Sequence, residues 1–189
     1  DAAIRGMFTR AFKADWQSNV EKEILRISPQ AQLVKVTYDE PYNYLAGPIN
    51  MHFRIRIPDY ATVTRDELIF TPLTAAGFFR RAMPHLTFDT GMEKREFPFR
   101  DRTSHAVEIS EKINVENATE TVSMPESATG EGSGAFYRGS YKQAGGEVSF
   151  SFTAEFPKRI YQPSDWTSFK AAVAYQNKLA SSPIIMKVK

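Results

Sequence analysis

Between Gly145 and Pro157 the chain reads GGEVSFSFTAEFP, and its side chains alternate without a break. Val148, Phe150, Phe152, Ala154 and Phe156 fall on one face; Ser149, Ser151, Thr153 and Glu155 fall on the other. Successive side chains of a pleated strand point to opposite sides, so a period of two predicts a strand with one buried face. The phenylalanines on that face need a thick apolar layer against them, which places the strand near the centre of a core. Gly145-Gly146 ahead of it is a hairpin signal, and Ala135 to Lys142 supplies the partner strand.

The same alternation recurs elsewhere. From Ile49 to Ile57, residues Ile49, Met51, Phe53, Ile55 and Ile57 face inward, and Asn50, His52, Arg54 and Arg56 face outward. From Gln32 to Asp39, Val34, Val36 and Tyr38 share one face; Leu33, Lys35 and Thr37 share the other. Ala2 to Phe12, rich in Ile, Met and Phe, reads as a strand weakened by Gly6. Glu67 to Thr71 and Pro183 to Val188 read as strands. Arg95 to Phe99 reads as an edge segment, because Pro98 cannot donate to a ladder. Ala106 to Ile113 and Ala118 to Met124 are expected to pair as neighbours around Asn114 to Asn117. Thr74 to Met83 fits either a short helix or a packed loop, and Thr129 to Gly134 reads as a mobile turn.

Two stretches have helical spacing instead. Trp16, Val20, Ile24 and Ile27 recur behind Asp15, a candidate cap, and Ser28-Pro29 ends that helix. Trp166, Phe169, Val173 and Ala180 mark a second helix, with Ser164 or Asp165 as its cap and Pro163 setting the approach. About nine strands with two helices, in no regular alternation, predict a mainly-β fold. The expected form is an antiparallel β-sandwich, jelly-roll-like, with two peripheral α-helices. It forms a single domain over residues 1–189, and residues 1–28 either pack on it or complete a neighbour.

Composition narrows the function classes. Lys and Arg number 24 against 22 Asp and Glu, a net charge of +2, which gives no support to a nucleic-acid or membrane-surface partner. No apolar run reaches the roughly 18 residues that a membrane span needs. The start, DAAIRGMFTRAF, has no initiator Met and no signal-peptide layout, as expected of a chain whose signal has been removed or of a fragment of a longer chain, the fragment being the favoured reading. There is no cysteine, hence no disulfide, thiolate ligand or cysteine nucleophile. His52, His85 and His105 show no zinc spacing, so no metal or other cofactor is expected. The run Gly130-Glu131-Gly132-Ser133-Gly134 lacks the following lysine of a phosphate loop.

Two groups remain as binding candidates. His52, Arg54 and Arg56 lie on one strand face, a solvated surface or an anion site. Tyr42, Tyr44 and Tyr60 lie in or beside loops and suit stacking on a sugar ring or gripping a peptide. His85 reads as a loop residue and His105 as the start of a strand. No catalytic residue stands out.

The order of elements also carries a resemblance. A strand with a central glycine (Gly6), a helix and an alternating strand precede MHFRIRIPDYATVTRDELIF. An Arg-x-x-Pro element at Arg95 to Pro98, a strand ending in Met124-Pro125, the helix YQPSDWTSFKAAV and a closing PIIMKVK follow. This resembles the C-terminal β-domain that follows the papain-like core of bacterial transglutaminase-like proteins. The resemblance implies a jelly-roll-type sandwich of unassigned function. It implies an accessory role beside the preceding core of the same polypeptide, which would carry the catalytic Cys, His and Asp, and a periplasmic or cell-surface location. The chain itself is then expected not to be an enzyme. The alternative expectation is a carbohydrate- or peptide-binding module.

Overall fold

The computed structural model describes residues 1–75 and 80–188. Residues 1–60 with 80–82 form one compact unit, and residues 61–75 with 83–188 form a second. Much of the expected Thr74 to Met83 element, residues 76–79, lies outside the described residues; Arg80–Ala82 is a single 3-10 turn.

The first unit consists of α1 (Ala2–Thr9), α2 (Trp16–Ile24), β1 (Gln32–Tyr38) and β2 (Met51–Arg56). Where a strand was expected from Ala2, the chain is helical. Ile4, Met7, Phe8 and Ala11 recur at i, i+3, i+4 and i+7, a period that a strand cannot bury on one side. They meet Trp16 and Val20 of α2 and Leu33, Val36, Tyr38, Met51 and Phe53 of the hairpin. Asp15 makes no side-chain cap bond to α2; a 3-10 turn, Lys13–Asp15, leads into the helix instead. The helices are joined by polar bonds at the end of α1, where backbone carbonyls lack helical partners. The Trp16 indole N–H donates to the Phe8 carbonyl at 2.9 Å, and the Asn19 amide donates to the Met7 carbonyl at 3.0 Å.

The hairpin contains a bulge. Leu33 pairs with Ile55 and Lys35 with Arg54, leaving Val34 as the extra residue. The bulge turns Leu33 inward beside Val36 and Tyr38, and Val34 outward, 58% exposed. The expected inward place of Val34 is therefore corrected by a one-residue shift that pure alternation does not contain.

The second unit holds β3 (Thr62–Val63), β4 (Glu67–Phe70), β5 (Phe99–Arg100), β6 (His105–Asn114), β7 (Ala118–Ser123), β8 (Ala128–Glu131), β9 (Phe136–Ala144), β10 (Glu147–Phe156), β11 (Ile160–Tyr161), α3 (Trp166–Ser181) and β12 (Ile184–Val188). They form two four-stranded antiparallel sheets, ordered β6-β10-β9-β8 and β3-β4-β12-β7, and a short pair β5-β11. The fold is mainly β and antiparallel, as expected, with α1 added to the two expected helices.

β10 lies between β6 and β9. Val148, Phe150, Phe152, Ala154 and Phe156 are all buried. On the opposite face Ser151 stands level with Ser110 and Ser140. The layer over the aromatic face includes α3. Phe169 meets Phe156 edge-on with ring centres 5.2 Å apart, and Tyr175 lies 6.2 Å from Phe152. Gly139, level with Phe152, makes room for this helix, since a Cβ there would come within 2.4 Å of the Tyr175 ring.

Three expectations change in this unit. β6 and β7 do not pair with each other: β6 pairs with β10 and β7 with β12. The Val115 N–H donates to the Gly146 carbonyl, continuing the β6 side of one sheet, and Asn117 at φ +61° then turns the chain toward the other. The glycine run near Gly132 is a packed turn. The Gly134 N–H donates to Ser168 Oγ at 2.9 Å, and a Cβ on Gly134 would come within 2.1 Å of the Asp165 carbonyl. The cap ahead of α3 is a box between Gln162 and Asp165, in which the Gln162 N–H donates to Asp165 Oδ2 at 2.8 Å.

Burial alone would raise the Asp165 carboxyl. The side chains of Lys158 and Ser133 and the Gln162 N–H outweigh it and hold the group below its ordinary range. A folded-state depression adds stability that is present above the unfolded titration and lost as pH falls through the folded one. Asp165→Asn should therefore lower the melting temperature at neutral pH and change it little in strong acid, as thermal scans across pH would show. Phe152→Ala should cost about 3–5 kcal/mol and Ser151→Ala no more than about 0.5 kcal/mol. Trp166 is the second unit's tryptophan, so urea unfolding followed by its fluorescence in a Trp16→Phe background reads both changes.

Candidate functional site

β2 presents His52, Arg54 and Arg56 outward, all three exposed. Thr37 stands opposite His52, Gln32 opposite Arg56, and Lys35 opposite Arg54. Lys35 is exposed as well, so two like charges face each other across the strands, a pairing that destabilises a hairpin left to itself. Among the described residues, Lys35, Arg54 and Arg56 make no ion pair. The acid at the end of this face is Asp39. Its carboxylate accepts from the Asn50 N–H at 2.9 Å and the Asn50 amide at 2.8 Å. The Asn50 backbone bond, foremost, holds Asp39 below its ordinary carboxyl range, with Asn50's side chain and nearby His52 adding to it.

Tyr42 and Tyr44 share the loop between the two strands. They are 55% and 62% exposed, beside a fully exposed Leu45. The loop takes its shape from Arg5, which is buried in α1. The Arg5 guanidinium donates to the carbonyls of Pro41 (3.0 Å), Asn43 (3.2 Å) and Gly47 (2.5 Å) and to Asp1 Oδ2 (2.7 Å). It also lies 5.2 Å from the centre of the Tyr44 ring. Tyr60 follows the Pro58-Asp59 turn and is half-buried, so it is not one of the exposed rings. The structure thus brings together Tyr42 with Tyr44, and His52 with Arg54 and Arg56. It adds Arg5 and Lys35, which sequence reasoning left out. Arg5 was legible in the helical spacing of Ile4, Met7 and Phe8; Lys35 needed the register.

In the second unit, His85 is buried and in contact with His105, a pairing that nothing in their separation of 20 residues announces. A cleft of about 420 Å³ opens beside β8 and the start of α3. Glu131, Ser133, Tyr137, Ser164 and Thr167 are among its lining residues. Among the described residues no group of three or more His, Asp or Glu side chains is placed to hold a metal ion.

No family model and no curated protein matches the chain. Among solved structures, it is similar to the crystal structure of a putative protease from Parabacteroides distasonis, with a TM-score of 0.51 and 11% identity. The match covers 67% of this chain and 24% of that one, so this chain spans about a quarter of that protein's length. At this identity the likeness is one of fold.

Arg5→Ala should release the tyrosine loop and cost about 3 kcal/mol, since it leaves several carbonyls without their donor. Arg5→Lys should rescue little, because an ammonium cannot reproduce the planar fork. Unfolding followed by Trp16 fluorescence, and proteolysis within residues 40–48, would check both.

Proposed function

We propose that this chain is a non-catalytic accessory module of a larger bacterial protein, resembling the domain that follows a transglutaminase-like core. It works by contact. The observation that carries the reading is the unneutralised basic face of the hairpin, where Lys35 and Arg54 oppose each other beside Arg56 and His52. An acidic surface on the preceding core would offset that repulsion and set the orientation of the two parts. The absence of a cysteine is consistent with a nucleophile housed elsewhere in the polypeptide. A periplasmic or cell-surface location belongs to the same reading.

A second reading has its own support. The cleft beside α3 falls in the size range of small-ligand sites, and its hydroxyls and carboxylate suit a glycan or a peptide. A titration with cell-wall saccharides or muropeptides, followed by amide NMR, would move signals around Tyr137 and Thr167 if this cleft binds, or around Tyr42 and Tyr44 if the loop does.

The accessory reading is tested by adding the chain to the separately produced core. Lys35→Glu with Arg54→Glu should weaken the association by at least about 10-fold, a rim-charge effect that also flattens its salt dependence. Unchanged affinity would overturn the surface assigned here. Turnover of a peptide amide by this chain alone, abolished by a point mutation within it, would overturn the accessory role.

A further inference from the structure

We infer that Arg95 is a recognition residue that binds a carboxylate side chain of a partner peptide. The residues of the site all belong to the second unit, and the inference does not rest on the accessory role. The guanidinium carbon of Arg95 lies 4.2 Å from the centre of the Trp166 ring, 4.7 Å from that of Phe99 and 5.6 Å from that of Phe88. All three distances fall within the roughly 6 Å over which a ring face attracts a cation. Trp166 and Phe99 are buried in the core, so the surface beneath the guanidinium is rigid.

The segment that carries Arg95 is fastened at both ends. The Met92 carbonyl accepts from the Trp166 indole N–H at 3.0 Å and from Lys170 Nζ at 2.9 Å, which ties it to α3. Phe99 opens β5 and pairs with Tyr161 of β11. The arginine between these anchors is therefore held in place before any ligand arrives. Preorganisation of this kind lowers the ordering cost of binding.

What the aromatic cage lacks is an acceptor. Among the described residues Arg95 makes no ion pair, not even with Glu93 or Glu96, its acidic neighbours in sequence. Its Nε is buried without a hydrogen-bond partner, whereas the two terminal nitrogens keep contact with solvent. A guanidinium offers parallel N–H groups in a planar fork, and a carboxylate matches that fork with two oxygens. Glu93, Lys94, Arg95 and Glu96 together carry no net charge, which suits a singly charged carboxylate better than a doubly charged phosphate. Met92 and Phe97, on either side of Arg95 in sequence, are 45% and 75% exposed. Exposed Met and Phe beside an arginine make up a protein-binding surface, because a peptide covers such apolar groups and a small anion does not. The occupant is an Asp or Glu side chain of a peptide with apolar residues next to it.

The test titrates the intact, nitrogen-15-labelled chain with acetyl-Leu-Glu-Leu-amide up to about 10 mM, a range that captures millimolar affinities. The Trp166 indole and Arg95 Nε–H signals should shift together and saturate, and acetyl-Leu-Gln-Leu-amide should bind at least about 10-fold more weakly. Arg95→Lys keeps the charge but loses the fork, and should weaken the Glu peptide by at least about 10-fold. Phe97→Ser alters a ring that is mostly in solvent, so the variant should fold normally and bind about 3-fold more weakly. No shift with the Glu peptide, equal binding of the Gln peptide, or full affinity in Arg95→Lys would each overturn the inference. Acetate or inorganic phosphate binding as tightly as the Glu peptide would overturn the peptide as occupant.

Discussion

The packing of α3 over the aromatic face of β10 is the contact on which most of the second unit depends. A strand with phenylalanines on one side is unstable in water unless that side is covered. α3 brings Phe169, Val173 and Tyr175, and both four-stranded sheets contribute to the same cluster, with Ile184 and Met186 of β12 in it. Other features follow from seating that helix. Gly139 leaves room for Tyr175, Gly134 lets the turn after β8 lie on Asp165, and the Gln162–Asp165 box sets where the helix begins. Each is a local concession to one large apolar contact, which at about 25 cal/mol per Å² outweighs any single polar bond.

The first unit is organised differently. Its core is small, and a two-stranded hairpin is marginal by itself, so helices and polar bonds share the work. Trp16 and Asn19 fasten α2 to the end of α1, and Arg5 anchors the loop between the strands. Burying a guanidinium is expensive unless its donors are used, and Arg5 uses them on three backbone carbonyls and the Asp1 carboxylate. The result is a loop that displays Tyr42 and Tyr44 in a defined arrangement, next to a hairpin whose outward face carries uncompensated positive charge.

The two units therefore handle charge in opposite ways. On the hairpin, cations stand exposed and opposed, where solvent makes the cost tolerable and a partner can remove it. Around His105, by contrast, a carboxylate and two imidazoles are packed together largely out of water. The exposed arrangement suits recognition, and the buried one ties a turn, a strand and a helix together.

The strands and helices most fully legible in the sequence are those with one unbroken period. β10, the β9–β10 hairpin, β2, α2, α3 and β12 each repeat every two or every three to four residues, and local geometry alone turns such repeats into a buried face. The outward places of His52, Arg54 and Arg56 followed in the same way. Ala2 to Thr9 was misread because its helical spacing is short and its residue types also favour strands. Tertiary structure decided what depends on residues far apart in the chain. The bulge that turns Leu33 inward exists only against β2, the separation of β6 from β7 needs their partners in different sheets, and the His85–His105 contact joins a turn to a strand. Periodicity specifies a face, because it is set by bond geometry within one segment; it does not specify what meets that face, because packing between segments is chosen by the whole core at once.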